Sequence, residues 1–511
     1  MDLRLFFFLG RILMREDTKR KRGVLDEPLI FERGSTGRVG YSLPEDDIPA
    51  RDLERDLPGA LRRETLAEFP EVSEGEVVRH FTRLSQWNFS AATTLYPLGS
   101  CTMKYNPVIN EVLARLPGFA QLHPLMPDEY TQGALTLLAD LERCLAEISG
   151  MDAISLQPAA GAQGELTGMK MIRAHHQAQG YPRKKVLIPG SAHGTNPASA
   201  ALCGYAVVEV PTSSSGMLEA ATVAKHVDAD IAALMVTNPN TLGLFEREIA
   251  QITEVLHAHG ALVYMDGANL NALMGVAKPG HMGADVIQFN LHKTFSTPHG
   301  GGGPGAGPVG VKKILEPYLP VPRLVRAGDQ YAWSDAFPHS IGRVRSFYGN
   351  FGILVRAYAY ILALGSDGLT QATRMAVLNA NYLRKRLEQT YHLAYDEPCM
   401  HECVFSDRSF TQAGVKTLDI AKRLLDYGFY APTIYFPLVV SGALMIEPTE
   451  TESKETMDEF ADALLTIAKE IADNPTALKD APLTTPVSRL DETRAARHPV
   501  LRWIKPSLSA R

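Results

Sequence analysis

Short apolar stretches alternate with helical stretches along the chain from about residue 130. Helical spacing of apolar residues marks segments such as Gly164–Gln179 and Glu246–His259. The strand candidates are short and mostly apolar: Ala153–Leu156, Val186–Ile188, Ala206–Val210, Ile231–Thr237, Ala261–Met265 and Val286–Phe289. This alternation predicts an α/β fold with a mostly parallel, doubly wound sheet and helices on both faces. A ligand of such a sheet is expected at the carboxyl ends of its strands.

The pattern after Gly349 predicts helices over Phe351–Leu364 and Met375–Tyr391, followed by a smaller α+β region. A last helix is predicted between a capping box at Thr449 and Glu452 and a stop at Pro475. A chain of 511 residues exceeds one ordinary core. We therefore expect five parts: an N-terminal arm (1–60), a helical and loop segment (61–130), a large α/β domain (131–348), a small α+β domain (349–475) and a tail (476–511).

Composition narrows the class of protein. With 45% hydrophobic residues, 21% charged residues and a net charge of -6, the chain resembles a globular enzyme and gives no case for nucleic acid binding. No run reaches the roughly 18 apolar residues of a membrane span. Five scattered cysteines argue against a disulfide framework, so a reducing, cytoplasmic location is expected.

The first residues and one cysteine pair need separate comment. Residues 1–13 look like an over-extended start, with Met14 as the functional beginning, and the basic run 19–22 is expected to be a solvated arm. Cys399 and Cys403 flank His401, but this segment offers too few further ligands for zinc, so no metal is expected.

Lys293 is an unusual lysine because it directly follows the apolar strand candidate Val286–Phe289. A lysine at a strand end is usually a solvated charge. Here glycines 300–303 follow closely, and glycine lets the backbone approach something bulky. A lysine amine at such an edge can form an imine with a carbonyl compound, of which pyridoxal phosphate is the leading candidate.

Asp266 is the matching acid, since it ends the strand candidate before Lys293 and lies 27 positions earlier. One βα unit fits that spacing, so both side chains are expected at the same sheet edge. Asp266 is then the partner of a protonated pyridine nitrogen. The alternative is a helix-capping aspartate, because Asp266 precedes Gly-Ala-Asn-Leu-Asn.

Other strand ends carry further candidates. The small-residue turn Gln157–Glu165 opens a helix, whose free N–H groups can cradle a phosphate, and it lacks the dinucleotide G-x-G-x-x-G spacing. His193 could cover a pyridine ring or act as an acid or base; otherwise it is a surface-turn histidine. The irregular stretch 93–107 is either functional or a connecting loop.

The chain resembles the glycine cleavage system P-protein family of fold-type I pyridoxal-phosphate enzymes. The motifs that carry the resemblance are PLGSCTMKYNP, LQPAAGAQGE, GSAHGTNPASA, VTNPNTLGLFE, MDGANLNALMG, FNLHKTFSTPHGGGGPGAGPVGV, SIGRVRSFYGNFG and ALMIEPTETESKE. It implies that Lys293 is the imine lysine, Asp266 the pyridinium partner and His193 the residue over the ring. The further neighbours it implies for the cofactor are Ala160, Gly161, Ala162, Thr195, Asn238, Ala268 and His292, with Ser100 nearby.

The resemblance also implies a reaction and partners. The chain would decarboxylate glycine and transfer the aminomethyl group to the lipoyl arm of the H-protein. It resembles subunit 2 of the split enzyme, which pairs with a subunit 1 in an α2β2 heterotetramer. Arg343 and Arg345 are candidates for the glycine carboxylate, and a redox role of Cys101 is open. The alternatives are another fold-type I amino-acid enzyme or a noncatalytic binding subunit.

Overall fold

The computed structural model describes residues 27–45, 47–62, 69–300 and 305–503. They fall into two units, one formed by residues 90–480 and the other by the described residues up to 89 together with those from 481. The expectations for residues 1–13, for the basic run 19–22 and for glycines 301–303 lie outside the described residues. The five domain bounds given above remain a prediction.

A seven-stranded sheet organises the larger unit. Its strands in spatial order are β1 (Ala153–Ser155), β7 (Val309–Val311), β6 (Val286–Phe289), β5 (Leu262–Gly267), β4 (Ile231–Thr237), β2 (Lys185–Pro189) and β3 (Ala206–Val210). The pairs from β6 through β3 are parallel, and β7 runs antiparallel between β6 and β1. The predicted α/β fold class is confirmed.

Each central strand contributes side chains to two cores, one on either face of the sheet. In β5, Val263 and Met265 lie in one buried cluster, whereas Leu262 and Tyr264 lie in the other. This division follows from the two-residue period of a strand, and it explains why β5 is apolar without interruption until Asp266. Both faces are covered, so the polar chemistry is confined to the strand ends.

The helices of this unit connect and flank the strands. Their bounds are Val108–Ala114, Pro117–Ala120, Gln132–Ser149, Gly161–Ala178, Asn196–Leu202, Ala220–His226, Ile249–Ala258, Leu291–Thr294, Phe351–Leu387, Thr417–Asp426, Lys454–Asp473 and Pro475–Lys479. Short 3₁₀ turns lie at Asp128–Tyr130, Leu270–Ala272, Pro279–Met282, Glu316–Tyr318 and Asp407–Ala413. The helix Phe351–Leu387 is broken at Gly365, whose φ of 60° and ψ of -173° are not helical.

A four-stranded antiparallel sheet forms a second layer in the same unit. Its order is β10 (His392–Leu393), β11 (Cys403–Ser406), β13 (Ala443–Ile446) and β12 (Thr433–Ile434), and a separate hairpin consists of β8 (Arg323–Ala327) and β9 (Gln330–Ser334). In the β11–β13 pair, Cys403 lies opposite Ile446. The residues just before β11 and just after β13 therefore come close together, and both are glutamates, Glu402 and Glu447.

The predicted cap of the last long helix is wrong. Lys454–Asp473 begins after Ser453, whose side chain accepts the Thr456 N–H at 3.1 Å. Thr449 instead has a φ of +66°, and its hydroxyl accepts the Thr451 N–H at 3.3 Å. Thr449 and Ser453 are both residues that can cap a helix, and each has a polar residue three positions later. Ser453 is the one that caps, because it lies nearer to the apolar face of the helix Lys454–Asp473.

The smaller unit contains the helices Leu53–Asp56, Glu74–Ser85 and Glu492–Arg497 and the 3₁₀ turns Ile30–Glu32 and Gly59–Leu61. Ser73 and Glu76 form a reciprocal capping box at the start of its longest helix. Among the described helices of both units, none has the length and apolar character required to cross a bilayer. All five cysteines are unbridged.

Candidate active site

Lys293 and Asp266 lie at the same edge of the central sheet, Asp266 near the end of β5 and Lys293 shortly after the adjacent strand β6. Asp266 is paired with Gln288 across β5 and β6, and Lys293 stands on the one-turn helix Leu291–Thr294 that follows β6. Within the part of the chain that the structure describes, the half-buried Lys293 ammonium has no hydrogen bond or ion pair. The pair expected from the sequence is therefore brought together by parallel pairing, with an amine left available.

Asp266 is 1% exposed and accepts four hydrogen bonds. Its Oδ1 accepts from the Ala268 N–H at 2.9 Å and from Gln288 Nε2 at 2.6 Å. Its Oδ2 accepts from His193 Nδ1 and Asn196 Nδ2, both at 3.1 Å. The carboxylate uses all its lone-pair positions inside the protein rather than capping a helix through a single oxygen.

These contacts keep Asp266 ionised. Burial by itself raises the pKa of this carboxyl, but the charge and the hydrogen bond of His193, the Ala268 N–H and the nearby Lys293 together hold the pKa well below its usual range. A buried negative charge fixed at a strand end is suited to hold a positively charged ring nitrogen.

His193 lies inside this site and is not a surface-turn residue, since its side chain is 12% exposed. Its Nδ1 faces Asp266 at 3.1 Å and Thr237 Oγ1 at 3.3 Å, and its Nε2 lies 2.7 Å from Ser100 Oγ. The ring is stacked on Phe436 with centroids 6.5 Å apart. Both ring nitrogens are therefore engaged, and the ring orientation is set from two sides.

The predicted phosphate turn forms the start of the helix Gly161–Ala178. Ala160 is its extended N-cap residue, and the first helical N–H groups, those of Gly161 and Ala162, have no acceptor among the described residues. Gly161 packs against Asn290, because a Cβ built on Gly161 would lie 2.5 Å from Asn290 Nδ2. The free end of an 18-residue helix thus sits beside the segment that leads to Lys293, where it can bind an anion.

The remaining predicted neighbours divide into direct and indirect contacts. Ala268 contacts Asp266 through its N–H, whereas the Thr195 hydroxyl donates to Glu165 Oε1 at 2.7 Å. Asn238 is buried; its Oδ1 accepts the Glu246 N–H at 3.0 Å, and its Nδ2 has no partner in the part of the chain that the structure describes. The local sequence around Thr195 gave no sign that its hydroxyl is committed to another side chain.

His292 precedes Lys293 on the same helical turn. Its Nε2 accepts from Asn290 Nδ2 at 3.2 Å, and its buried Nδ1 has no partner in the described chain. Burial, followed by the charges of His299 and Lys293, lowers the pKa of His292 to about 3, so the ring is neutral at physiological pH.

The two arginine candidates have different surroundings. Arg343 is exposed and pairs with Asp335 at 3.2 Å. Arg345 donates to Asn350 Oδ1 at 2.5 Å, and Asn350 in turn donates to the Ala159 carbonyl of the phosphate turn at 3.2 Å. Of the two, Arg345 is the one connected to the anion-binding helix end.

Three buried glutamates that sequence reasoning did not single out border the site. Glu165 accepts from Asn196 Nδ2 at 3.1 Å, and the same amide contacts Asp266. Glu402 and Glu447 accept the backbone N–H groups of Ser100 and Thr102, both at 2.8 Å. Burial raises the pKa of all three carboxyls, that of Glu447 to about 7. The only sequence feature that pointed to Glu402 and Glu447 was their position, because one directly precedes an apolar strand and the other directly follows one.

His401 groups with these acids and not with the cysteines beside it in sequence. Its Nε2 lies 4.0 Å from Glu402 Oε2 and 3.9 Å from Glu447 Oε1. Cys399 and Cys403 instead belong to the buried core of the smaller sheet. Cys101 is half-buried between Ser100 and Thr102, and burial raises the pKa of its thiol.

A mostly parallel sheet with this strand order, an acid at the end of one strand, a lysine shortly after the adjacent strand and a helix end with free N–H groups define the class of fold-type I pyridoxal-phosphate enzymes. Two family models match the sequence: "Glycine cleavage system P-protein" over residues 46–337 and "Glycine dehydrogenase, C-terminal domain" over residues 372–484. The chain belongs to the glycine cleavage system P-protein family, on the branch of its subunit 2 proteins.

Relatives of known name support this placement. The chain is 57% identical over 474 residues to a probable glycine dehydrogenase (decarboxylating) subunit 2 of Chlorobium chlorochromatii (strain CaD3), covering 93% of this chain and 98% of that protein. It is 56% identical over 479 residues to the protein of the same name in Listeria innocua serovar 6a, covering 94% and 98%. Their name implies that each works with a subunit 1.

Solved structures agree on the fold. A glycine decarboxylase (P-protein) of the glycine cleavage system, in inhibitor-bound form, superposes with a TM-score of 0.69 at 20% identity, over 83% of this chain and all of that one. A glutamate decarboxylase of Lactobacillus brevis superposes with a TM-score of 0.63 at 14% identity, over 80% and 95%.

Proposed function

We propose that this chain is the cofactor-bearing subunit of a glycine dehydrogenase that decarboxylates glycine with pyridoxal phosphate. The observation that carries the proposal is the sheet edge at which an unpaired lysine, an ionised buried aspartate and the free end of a long helix come together. The names of the relatives specify the substrate and the reaction.

The residues present fit pyridoxal phosphate. Lys293 would hold its carbonyl carbon, the N–H groups of Gly161 and Ala162 its phosphate, and Asp266 its ring nitrogen. Because Asp266 already accepts four hydrogen bonds, one donor has to give way to a ring nitrogen. His193 is the partly exposed one of the three side-chain donors, so it is the donor that can move onto the face of the ring.

The bound cofactor supplies a carbonyl that condenses with amines and a ring that withdraws the electron pair left when carbon dioxide departs. Asp266 keeps a proton on the ring nitrogen, because its own pKa is too low for it to take that proton away. His292, neutral at physiological pH, adds no positive charge beside Lys293. Arg345, connected through Asn350 to the turn at Ala159, stays a candidate for an anionic group of substrate or cofactor.

The proposal includes partners. The aminomethyl group left after loss of carbon dioxide passes to one sulfur of a lipoyl disulfide on an H-protein, while the other sulfur leaves as a thiol. A subunit 1 completes the enzyme, with an α2β2 assembly as the expected form. A reducing, cytoplasmic location belongs to the same proposal, since the five thiols are unbridged.

The test combines chemical labelling with exchange kinetics. The chain is mixed with pyridoxal phosphate and a candidate subunit 1, reduced with borohydride, and digested for peptide mass spectrometry. We expect the cofactor on Lys293, and glycine-dependent exchange of labelled bicarbonate when the H-protein is added. K293A should lose both signals, whereas K278A, which removes a surface lysine paired with Glu147, should keep both.

Three outcomes contradict the proposal in different ways. Absence of the label in the presence of subunit 1 would favour a noncatalytic binding subunit. A label on Lys293 without glycine-dependent exchange would favour another amino-acid enzyme of the same fold. Exchange at the normal rate in K293A would remove the lysine from the mechanism.

A further inference from the structure

Residues 97–105, here called the strap, contain the PLGSCTMKY motif and are fastened to the smaller sheet along their length. Leu98 forms a β-bridge with Ile446, and the Gly99 carbonyl accepts from Thr433 Oγ1 at 2.8 Å. Further along, Lys104 Nζ donates to Glu450 Oε1 at 2.6 Å. The strap is therefore fixed by specific contacts along its length and does more than connect two elements.

The middle of the strap has an unfavourable backbone. Ser100 and Thr102 have φ values of +64° and +47°, in the left-handed region that disfavours residues with a Cβ and disfavours β-branched residues most. Such conformations persist only where surrounding contacts impose them, and they cluster at functional sites. The contacts that hold Ser100 and Thr102 in this conformation are therefore candidates for a functional role.

Two fully buried glutamates hold these two residues. Glu402 Oε2 accepts the Ser100 N–H at 2.8 Å. Glu447 accepts the Thr102 N–H at 2.8 Å through Oε2 and the Thr102 hydroxyl at 2.5 Å through Oε1. Both glutamates are 0% exposed. Burying two carboxyls side by side is unfavourable, so simple stability is a poor explanation for the pair.

The strap presents one hydroxyl to the site. Ser100 Oγ lies 2.7 Å from His193 Nε2, while His193 Nδ1 lies 3.1 Å from Asp266 Oδ2. An ionised carboxylate only accepts, so Nδ1 carries a hydrogen. Nε2 accepts from the Ser100 hydroxyl when the ring is neutral and donates to it when the ring is protonated, so the contact is kept in both forms. The result is a continuous path of hydrogen bonds from Glu402 through Ser100 and His193 to Asp266.

We propose that Glu402 is a positioning residue that holds Ser100 in its left-handed conformation, so that the Ser100 hydroxyl sets the orientation of the His193 ring. The catalytic importance of this path rests on the function proposed above, but the path itself does not. Among the described residues, Glu402 Oε1 has no hydrogen-bond partner, so one acceptor oxygen at the Oε2 position is all that the role requires. Burial and the neighbouring Glu447 raise the pKa of Glu402.

Four variants test the path. E402M removes the acceptor but keeps apolar volume, and E402Q keeps a carbonyl oxygen that can accept the Ser100 N–H. S100G removes the hydroxyl with a residue that adopts positive φ without strain. The double variant S100G/E402M tests whether Glu402 acts only through the Ser100 hydroxyl, because loss of Glu402 should then add nothing to loss of that hydroxyl.

The first readout is the rate at which diethyl pyrocarbonate modifies His193 in the cofactor-free chain, measured by peptide mass spectrometry. The reagent attacks an unprotonated ring nitrogen, so loss of the Ser100 bond should raise the rate by about two- to tenfold, the range of one net hydrogen bond. We expect this rise in S100G and E402M, not in E402Q. The double variant should match S100G, because the two changes break the same path.

The second readout is the pH titration of the visible absorption band of the pyridoxal-phosphate-bound chain. S100G and E402M should shift its midpoint by about half a pH unit or more, and E402Q should not. An equal further acceleration by E402M in the S100G background would overturn the proposal, because Glu402 would then act independently of Ser100. An unchanged His193 rate in S100G would also overturn it, whether or not E402M folds. Absence of the band in the wild-type chain would count against the proposed function, while the His193 rates would still decide this proposal.

Discussion

Replacing Asp266 by asparagine is expected to destabilise the cofactor-free chain, although the two side chains have the same shape. The aspartate has two donors at each oxygen: Ala268 and Gln288 at Oδ1, His193 and Asn196 at Oδ2. Asparagine replaces one oxygen by an NH₂ group. Whichever way the amide is turned, two donors then face a donor.

The less costly orientation can be identified. A backbone N–H cannot rearrange, so the NH₂ group should face His193 and Asn196. His193 can move its proton to Nε2 and accept through Nδ1, with Ser100 Oγ as the new acceptor at 2.7 Å. Asn196 would have to turn its amide, which would break its contact with Glu165 at 3.1 Å. One buried polar group is left unsatisfied, and the expected loss is about 1–3 kcal/mol of the free energy of unfolding.

Urea unfolding of the cofactor-free chains at pH 7.5, followed by circular dichroism, measures this loss. D285N is the matched control, because the buried Asp285 carboxylate also accepts hydrogen bonds. Its donors are the Val263 N–H and His257 Nε2, both at 2.8 Å. Both contact the same oxygen, Oδ2, so the asparagine oxygen can take that place and both bonds survive. Its expected loss is below about 1 kcal/mol.

Equal stability of D266N and D285N would refute this reasoning, since it would mean that the four donors around Asp266 do not constrain the identity of the atoms they meet. A D266N variant that kept wild-type glycine exchange would refute the role of Asp266 at the ring nitrogen, independently of its stability.

Three further predictions follow from the same geometry. G161A should weaken cofactor binding about tenfold or more because a Cβ intrudes at the anion-binding helix end, whereas G133A, near the start of another 18-residue helix with nothing within 4 Å of its Cβ, should bind normally in a fluorescence titration. Burial raises the pKa of Glu246 from 4.5 to about 7, so the unfolded chain binds fewer protons than the folded chain between these pH values. The free energy of unfolding should therefore fall by about 3 kcal/mol as the pH rises through that window. The urea midpoints at pH 5 and pH 8 should differ less in E246Q than in wild type. K104M should lose about 3 kcal/mol because Glu450, whose side chain is 9% exposed, loses its cation and keeps the Asn271 amide as a donor, and K104M/E450L should recover part of that loss in the same assay.

The predicted bounds of β3, β4 and β6 agree with the structure. β4 and β6 are buried along their length and β3 is largely exposed, so the usable signal was a short, mostly apolar run rather than burial on both faces. The antiparallel strand β7 escaped notice, since it has three residues and emerges from a glycine- and proline-rich loop. Its place between β1 and β6 depends on pairing that no local pattern encodes.

The residues of the site follow the same division. Lys293 and Asp266 could be predicted because Asp266 lies at the end of one strand and Lys293 shortly after the neighbouring one, and parallel strands bring their ends together. The partners of Ser100 could not, because Glu402 lies 302 positions away in the sequence and His193 lies 93 away. Glu402 in isolation is an acid before a short strand, which most often indicates a solvated strand end.

Two of the motifs that carry the family resemblance turn out to be the two sides of one contact. Three hydrogen bonds join the strap to the segment ALMIEPTETESKE, and the partners follow the same order along both segments. They are Thr102 with Glu447, Lys104 with Glu450 and Tyr105 with Thr451. Each pairing joins a donor on the strap to an acceptor on that segment, so neither segment is satisfied without the other. The two motifs therefore share one structural task, since together they hold the strap that places Ser100 against His193.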